Sequence, residues 1–254
     1  MAGRLAGKTC IITGTGGAMG SEAALVFARE GALVIGCDVD ADAAQQTLER
    51  VRAEGGRMES LHPLDLSTQE NAAALAAFAL SHGGRIDVLY NNGGGVRMAW
   101  LPDMSAEDWS FTIRNELDII FFAVRAVWPT MVEHGGGSII NVGSVSGKIA
   151  YKVLPAVAHS AAKGGVIAMS KHMAMEGGPH GIRVNSISPG LVLTPSTERK
   201  MSDPAWAEAM IGKIMLARAG TPADVVPAAV YLASDEARWV TGADFAIDGG
   251  TTAW

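Results

Sequence analysis

Residues 13–20 read TGTGGAMG, standing between a short apolar run, KTCIIT (residues 8–13), and a helical pattern that opens near residue 18. Glycine there permits a tight turn and lets an anion approach backbone N–H groups at a helix N-terminus, where the helix dipole favours negative charge. Glycines end strands in many folds, so the cluster by itself is weak. Its place between a first strand and a first helix makes it a phosphate-loop signature. The next apolar run, VIGCDVD, carries Asp38 about 20 residues past the loop, where an acidic side chain can accept hydrogen bonds from both ribose hydroxyls of a dinucleotide. A carboxylate there repels a 2′-phosphate, and the loop offers no arginine to receive one, so the pattern favours NAD over NADP. Asp38 could instead cap the following turn together with Asp40 and Asp42.

Outward from the loop the chain repeats one alternation. Short apolar runs at 8–13, 32–37, 57–61, 86–90, 137–142, 182–187 and 243–247 are separated by helical patterns near 18–30, 41–54, 68–82, 105–134, 158–177 and 222–234. Strands alternating with helices imply right-handed crossovers and an α/β fold, a doubly wound parallel sheet of about seven strands with helices on both faces. No linker, short-period repeat or low-complexity segment interrupts the order, so residues 1–254 read as a single domain. The one irregular stretch, 190–221, is rich in Pro, Ser and Thr and follows the carboxyl end of a strand. It reads as a substrate flap with a short helix inside.

The chain's 254 residues are 48% hydrophobic and 18% charged, ample for one large core. Net charge is −6 and no Lys/Arg run occurs, which argues against a nucleic-acid partner or an anionic membrane surface. The longest apolar stretches, such as Ala72–Leu80, fall well short of the roughly 20 residues that span a bilayer. The opening MAGRLAGKTC lacks the apolar core of a signal peptide. Cys10 and Cys37 fall in expected buried strands, the pattern of structural thiols in a reducing cytosol. A soluble cytoplasmic protein is expected. The histidines at 62, 82, 134, 172 and 180 lack ligand spacing, so no metal site is expected, and His172 and His180 are expected to face solvent.

Further stretches fall into place along the whole chain: LDLS (64–67), NNGG (91–94), SVSG (144–147), HSAAKGG (159–165), NSISPGLVLTP (185–195) and the closing VTGADFAIDGG. With TGTGGAMG, their order and spacing resemble the short-chain dehydrogenase/reductase family over nearly all of the chain. The resemblance implies a Rossmann-like sheet, nicotinamide chemistry, a small-molecule alcohol or ketone substrate and, usually, a homotetramer. It implies that Gly14, Gly17, Met19 and Gly20 hold pyrophosphate, that Asp65 and Leu66 flank the adenine, and that Asn92 and Gly93 pass under the adenosine ribose. Pro189, Gly190, Val192 and Thr194 would hold the nicotinamide end, Ser144 the substrate oxygen and Lys163 the nicotinamide ribose. The helical patterns at 105–134 and 158–177 carry apolar residues on more than one face, among them Ile119, Phe122, Val166 and Met169, in keeping with paired helices of a tetramer.

Three positions depart from the family's pattern. Ala18 stands for the middle glycine of TGxxxGxG. In EDWSFTIRNELDIIFF, aligning Trp109 and Phe121 puts Glu116, not Asn115, where an asparagine usually stands, and one residue turns a helical side chain by about 100°. His159 stands where the tyrosine of YxxxK belongs, four residues before Lys163 and so on the same helical face. The interval after Ser144 is also longer than usual, so the segment holding Tyr151 is expected to bulge outward.

A tyrosine, with an ordinary pKa of about 10, needs a neighbouring ammonium to serve near neutrality, whereas histidine starts at about 6.5. The lysine would hold the imidazole neutral, ready to take a proton from an alcohol, and Glu116 would favour both cations and relay protons. The sequence therefore reads as an NAD-dependent oxidoreductase interconverting a secondary alcohol and a ketone through Ser144, His159, Lys163 and Glu116. Alternatively, His159 is a satisfied histidine in a catalytically impaired nucleotide-binding protein, Tyr151 is a substitute acid, or the fold serves a non-redox enzyme. The retained Ser144, Lys163, Asp38 and glycine loop argue against loss of the chemistry or of the cofactor. Met201, Trp206, Met210, Ile211 and Met215 of the flap suit a hydrophobic alcohol, or simply pack a helix onto its own domain.

Overall fold

The apolar run before the glycine loop forms β1 (Thr9–Thr13), the central strand, with every residue buried. The computed structural model describes residues 3–254. Strands β2 (Leu33–Cys37), β3 (Arg57–Leu61), β4 (Val88–Asn91), β5 (Gly137–Val142), β6 (Ile182–Pro189) and β7 (Asp244–Ile247) join it in the order β3-β2-β1-β4-β5-β6-β7. Every pairing is parallel.

The helices are α1 (Ala18–Arg29), α2 (Ala41–Ala53), α3 (Gln69–Gly83), α4 (Ala106–Ile113), α5 (Ile119–Glu133), α6 (Val157–Gly177), α7 (Pro195–Met201), α8 (Pro204–Ile211) and α9 (Pro222–Ala233). Phe27, Leu48, Val51 and Val226 of α1, α2 and α9 pack with Cys10, Ile12 and Val34 on one face of the sheet. Leu75, Ile120, Val124 and Val166 of α3, α5 and α6 pack with Ile11, Ile35, Leu89 and Ile139 on the other. Successive residues of β1 thus divide between two cores, as the pleat requires. This is the doubly wound α/β sheet that the alternation of strands and helices implies.

Because β1 pairs with β2 on one side and β4 on the other, the order of strands reverses there. Ligands of such sheets bind beyond the carboxyl ends of the strands at that switch point. Two expectations are corrected. The pattern over 105–134 is not one helix: a π-turn, Arg114–Asp118, interrupts it between α4 and α5. The flap holds two short helices, α7 and α8, rather than one. Among the described residues, no helix is long and apolar enough to cross a membrane. His172 and His180 are exposed.

Candidate active site

A cleft of about 590 Å³ opens at the switch point, lined by Gly14, Gly17, Met19, Asp38, Asp65, Leu66, Asn92, Gly93 and Thr194. Gly14 has φ +73°, and a Cβ on it would lie 2.6 Å from the Gly93 Cα. A Cβ on Gly20 would lie 2.0 Å from the Gly14 carbonyl oxygen. No side chain fits either place, so the loop's close turn demands glycine. The Thr13 hydroxyl ties the two walls by accepting from the backbone N–H of Asn92 (3.0 Å) and Gly93 (2.9 Å). Asn92 Nδ2 donates to the Thr13 carbonyl at 3.1 Å, while its Oδ1 is buried without a partner.

Asp38 braces the turn that follows it, one of the two duties weighed for it. Its Oδ1 accepts from the Asp40 N–H (2.9 Å) and its Oδ2 from the Gly16 N–H (2.8 Å), so it braces the turn and the glycine loop together. It also lines the cleft. An ionised carboxylate has about four acceptor positions, of which these bonds use two. Asp38, Asp40 and Asp65 line the cleft and no lysine or arginine does. The open glycine cradle, the free acceptor capacity of Asp38 and the orphaned Asn92 oxygen together fit a dinucleotide.

A second pocket, about 270 Å³, shares Met19 with the cleft and contains Ser144, His159, Lys163, Pro189, Gly190 and Val192 in its wall. Ser144 follows β5, and its hydroxyl accepts from the Ser146 N–H at 3.1 Å. His159 and Lys163 lie one turn apart on α6. Glu116, buried, sits on the π-turn before α5. An i→i+5 turn inserts a residue and shifts the helix's phase, a device frequent at functional sites. Here Asn115 folds its side chain back to the Phe111 carbonyl (2.9 Å), and Glu116 meets His159 instead.

Both Glu116 oxygens approach His159 Nδ1, Oε2 at 2.7 Å and Oε1 at 2.9 Å. An ionised carboxylate can only accept, which assigns the Nδ1 proton to this bond and leaves Nε2 with its lone pair in the neutral imidazole. Lys163 Nζ donates to the Val142 carbonyl at 2.9 Å and stands 4.0 Å from Glu116 Oε1. Burial pulls the Lys163 pKa below the ordinary lysine value, and Glu116 opposes that pull. Buried Glu116 and Lys163 and half-buried His159 are thus one cluster of ionisable groups on the edge of a pocket, the arrangement expected of a proton-transfer site.

The outward bulge expected for Tyr151 is not what forms. Its ring turns inward, packing with Leu154, Leu191, Trp206 and Met210 beneath the flap, because burying an aromatic ring there outweighs leaving the loop extended. Burial pushes the phenol's pKa up, and its hydroxyl is buried without a hydrogen-bond partner. Trp206 and Met210 do line the pocket, while Met201 and Ile211 pack within the flap's own cluster and Met215 is exposed. Sequence reasoning missed Phe111 and Gly95 in the cleft, and Met98 and Lys200 in the pocket. Gly95 extends the glycine run after Asn92 and was readable from it; Met98 and Lys200 lie in loop and flap with no periodic signal.

The family model described as "Enoyl-(Acyl carrier protein) reductase" matches residues 14–252. Cyclopentanol dehydrogenase of Comamonas sp. (strain NCIMB 9872) is 34% identical over 251 residues, which are 99% of this chain and 99% of that one. A 7α-hydroxysteroid dehydrogenase solved with NADH and 7-oxo glycochenodeoxycholic acid superposes with a TM-score of 0.91 at 32% identity, over 97% of this chain and 95% of that one. A protein described as an NAD(P)-dependent gluconate 5-dehydrogenase from Beutenbergia cavernae, with bound NADP, gives a TM-score of 0.91 at 32% identity over 98% of each chain.

Proposed function

The chain belongs to the short-chain dehydrogenase/reductase family, and on that premise we propose that it is an NAD(H)-dependent oxidoreductase interconverting a secondary alcohol and a ketone, with His159 as the general base. The observation that carries this reading is the double approach of Glu116 to His159 Nδ1, at 2.7 and 2.9 Å, in the wall of the pocket that holds Ser144 and Lys163. Bound NAD supplies a two-electron acceptor for the carbinol hydrogen. The Ser144 hydroxyl orients the substrate oxygen. His159 Nε2 takes the hydroxyl proton, and the resulting imidazolium is stabilised through Nδ1 by the Glu116 carboxylate. The same division of labour between carboxylate and imidazole serves hydrolytic triads, where the acid fixes the tautomer and offsets the developing cation. Lys163 binds the nicotinamide ribose.

NAD rather than NADP is favoured by the cleft's charges. Three aspartates line it, Asp38 among them, and no cation is present to meet a 2′-phosphate. The two buried free thiols, Cys10 and Cys37, suit a reducing cytoplasm.

The test is a panel of cyclic, aromatic and linear secondary alcohols with NAD, followed by the absorbance of NADH, alongside NADH binding by fluorescence. Turnover of at least one alcohol is expected. NADH binding with no turnover across the panel would leave a catalytically impaired nucleotide-binding protein, and absence of NADH binding would leave a non-redox one.

A further inference from the structure

The wall of the catalytic pocket holds the ammonium groups of Lys163 and Lys200 and the imidazole of His159, and no Asp or Glu lines it. His159 and Lys163 share the carboxylate of Glu116, at 2.7 and 4.0 Å. Lys200, near the end of α7 on the flap, has no such partner. Among the described residues its Nζ meets only the Met98 sulfur, at 3.9 Å, a weak acceptor that does not balance a charge. Arg4 is matched by Glu236, Arg97 by Glu107 and Asp108, and Arg218 by Asp224, whereas Lys200 is one of several exposed cations without a carboxylate partner among the described residues, and of these it alone lines the pocket. In a chain of net charge −6, a pocket without one acidic residue and with one unmatched ammonium selects for negative charge.

Apart from the hydroxyls of Ser144, Ser146, Tyr151 and Thr197, the rest of the wall is apolar, including Leu154, Leu191, Trp206 and Met210. We propose that the substrate is a hydroxy acid, an apolar body that carries the reacting alcohol and a carboxylate held by Lys200, and that the product is the corresponding keto acid. This inference rests on the oxidoreductase reading above. A single carboxylate fits better than a phosphate or other dianion. One cation balances one charge, and a second negative charge against this apolar wall would be left unpaired at a large desolvation cost. The carboxylate takes no part in the oxidation. It fixes which end of the molecule faces the flap, and so which carbon faces Ser144 and His159.

The clean probe is a set of alicyclic and linear hydroxy acids, each paired with its methyl ester, because the ester keeps the apolar body and removes the charge. In the unmodified enzyme kcat/KM should favour acid over ester roughly tenfold, the scale of one charge-assisted hydrogen bond. Lys200→Met should collapse that ratio toward unity, Lys200→Arg should keep it, and Lys200→Glu should invert it. Equal use of acid and ester by the unmodified enzyme, or an unchanged ratio in Lys200→Met, would overturn the proposal. If no alcohol is oxidised, the redox reading fails separately, and quenching of Trp206 fluorescence by keto acid against keto ester still decides the pocket's preference. Tighter binding of the keto acid supports an anion site, and equal binding refutes it.

Discussion

At the scale of single residues, the site turns on two substitutions that make sense only together. Beside a tyrosine, Glu116 would be harmful, because a phenolate and a carboxylate at 2.7–2.9 Å repel each other, the distance at which Glu116 meets His159 Nδ1. Beside an imidazole it is an anchor. Removing the base, as in His159→Ala, should lower kcat by roughly 10²–10⁴ while NADH affinity stays near its starting value, since His159 does not line the nucleotide cleft. Retention of the full rate would move the base elsewhere, and Tyr151 would be the next residue to change. The coupling gives a sharper test. His159→Tyr alone should be nearly inactive, and adding Glu116→Asn should recover activity, with the oxidation profile moved toward alkaline pH because a phenol's ordinary pKa is about 10 against about 6.5 for imidazole. A double variant no better than the single one would show the two positions to be independent. Asp38 belongs to the same scale. NAD should be preferred to NADP at least tenfold in kcat/KM, about 1.4 kcal/mol, and Asp38→Ala should narrow the gap. Because Asp38 also holds the Gly16 and Asp40 N–H groups, this change should weaken binding of both cofactors, which a conservative Asp38→Asn would separate from the charge effect.

At the scale of elements, what the sequence made legible was what periodicity governs. All seven strands fall within two residues of their expected bounds, because buried parallel strands are short apolar runs and little else competes for them. The break in the helix over 105–134 was not legible: neither Pro nor Gly interrupts Arg114–Asp118, and the π-turn there carries Glu116, whose partner His159 lies on α6 across the fold. That Glu116 rather than Asn115 faces the site was legible only through alignment of Trp109 and Phe121. The inward turn of Tyr151 was hidden because its partners, Leu191, Trp206 and Met210, come from distant segments. The central strands carry a pH prediction of their own. Cys37, at the end of β2, is buried, and that burial pushes its pKa from 9.0 up to about 12. Below pH 9 both folded and unfolded chains keep the proton; between 9 and about 12 only the folded chain does, so stability falls as pH rises through that window. Cys37→Ala should flatten the alkaline decline in urea midpoint. At pH 8 neither thiol should react with a thiol reagent until the chain unfolds, and rapid labelling of the native protein would contradict the burial of Cys10 and Cys37.

At the scale of the molecule, apolar surface is left over in several places among the described residues, and two of them bear on assembly. Ile119 and Val166, expected at a helix-pairing surface, belong to the core, and Phe122 and Met169 pack against it. The outward apolar residues of those helices are others: Trp109 at 40% exposure, Phe121 at 47% and Met175 at 64%. A separate set lies toward the chain's end, where Trp239 is 97% exposed, Leu216 and Trp254 are exposed too, and β7 forms an unpaired sheet edge. A monomer rarely keeps large aromatics so open, and two unrelated self-complementary patches are what a tetramer with dihedral symmetry requires, one for each kind of two-fold contact. We therefore propose a homotetramer, with the α4–α5 and α6 surface forming one contact and the β7 edge with Trp239 the other. Light scattering at micromolar concentration should give the mass of four chains. Phe121→Glu should leave dimers held by the β7 edge, and Trp239→Glu dimers held by the helices, because a buried unpaired carboxylate costs each contact several kcal/mol while the other stays intact. A monomeric mass for the unmodified chain would refute the assembly, and an undiminished mass in both variants would refute the placement of its contacts.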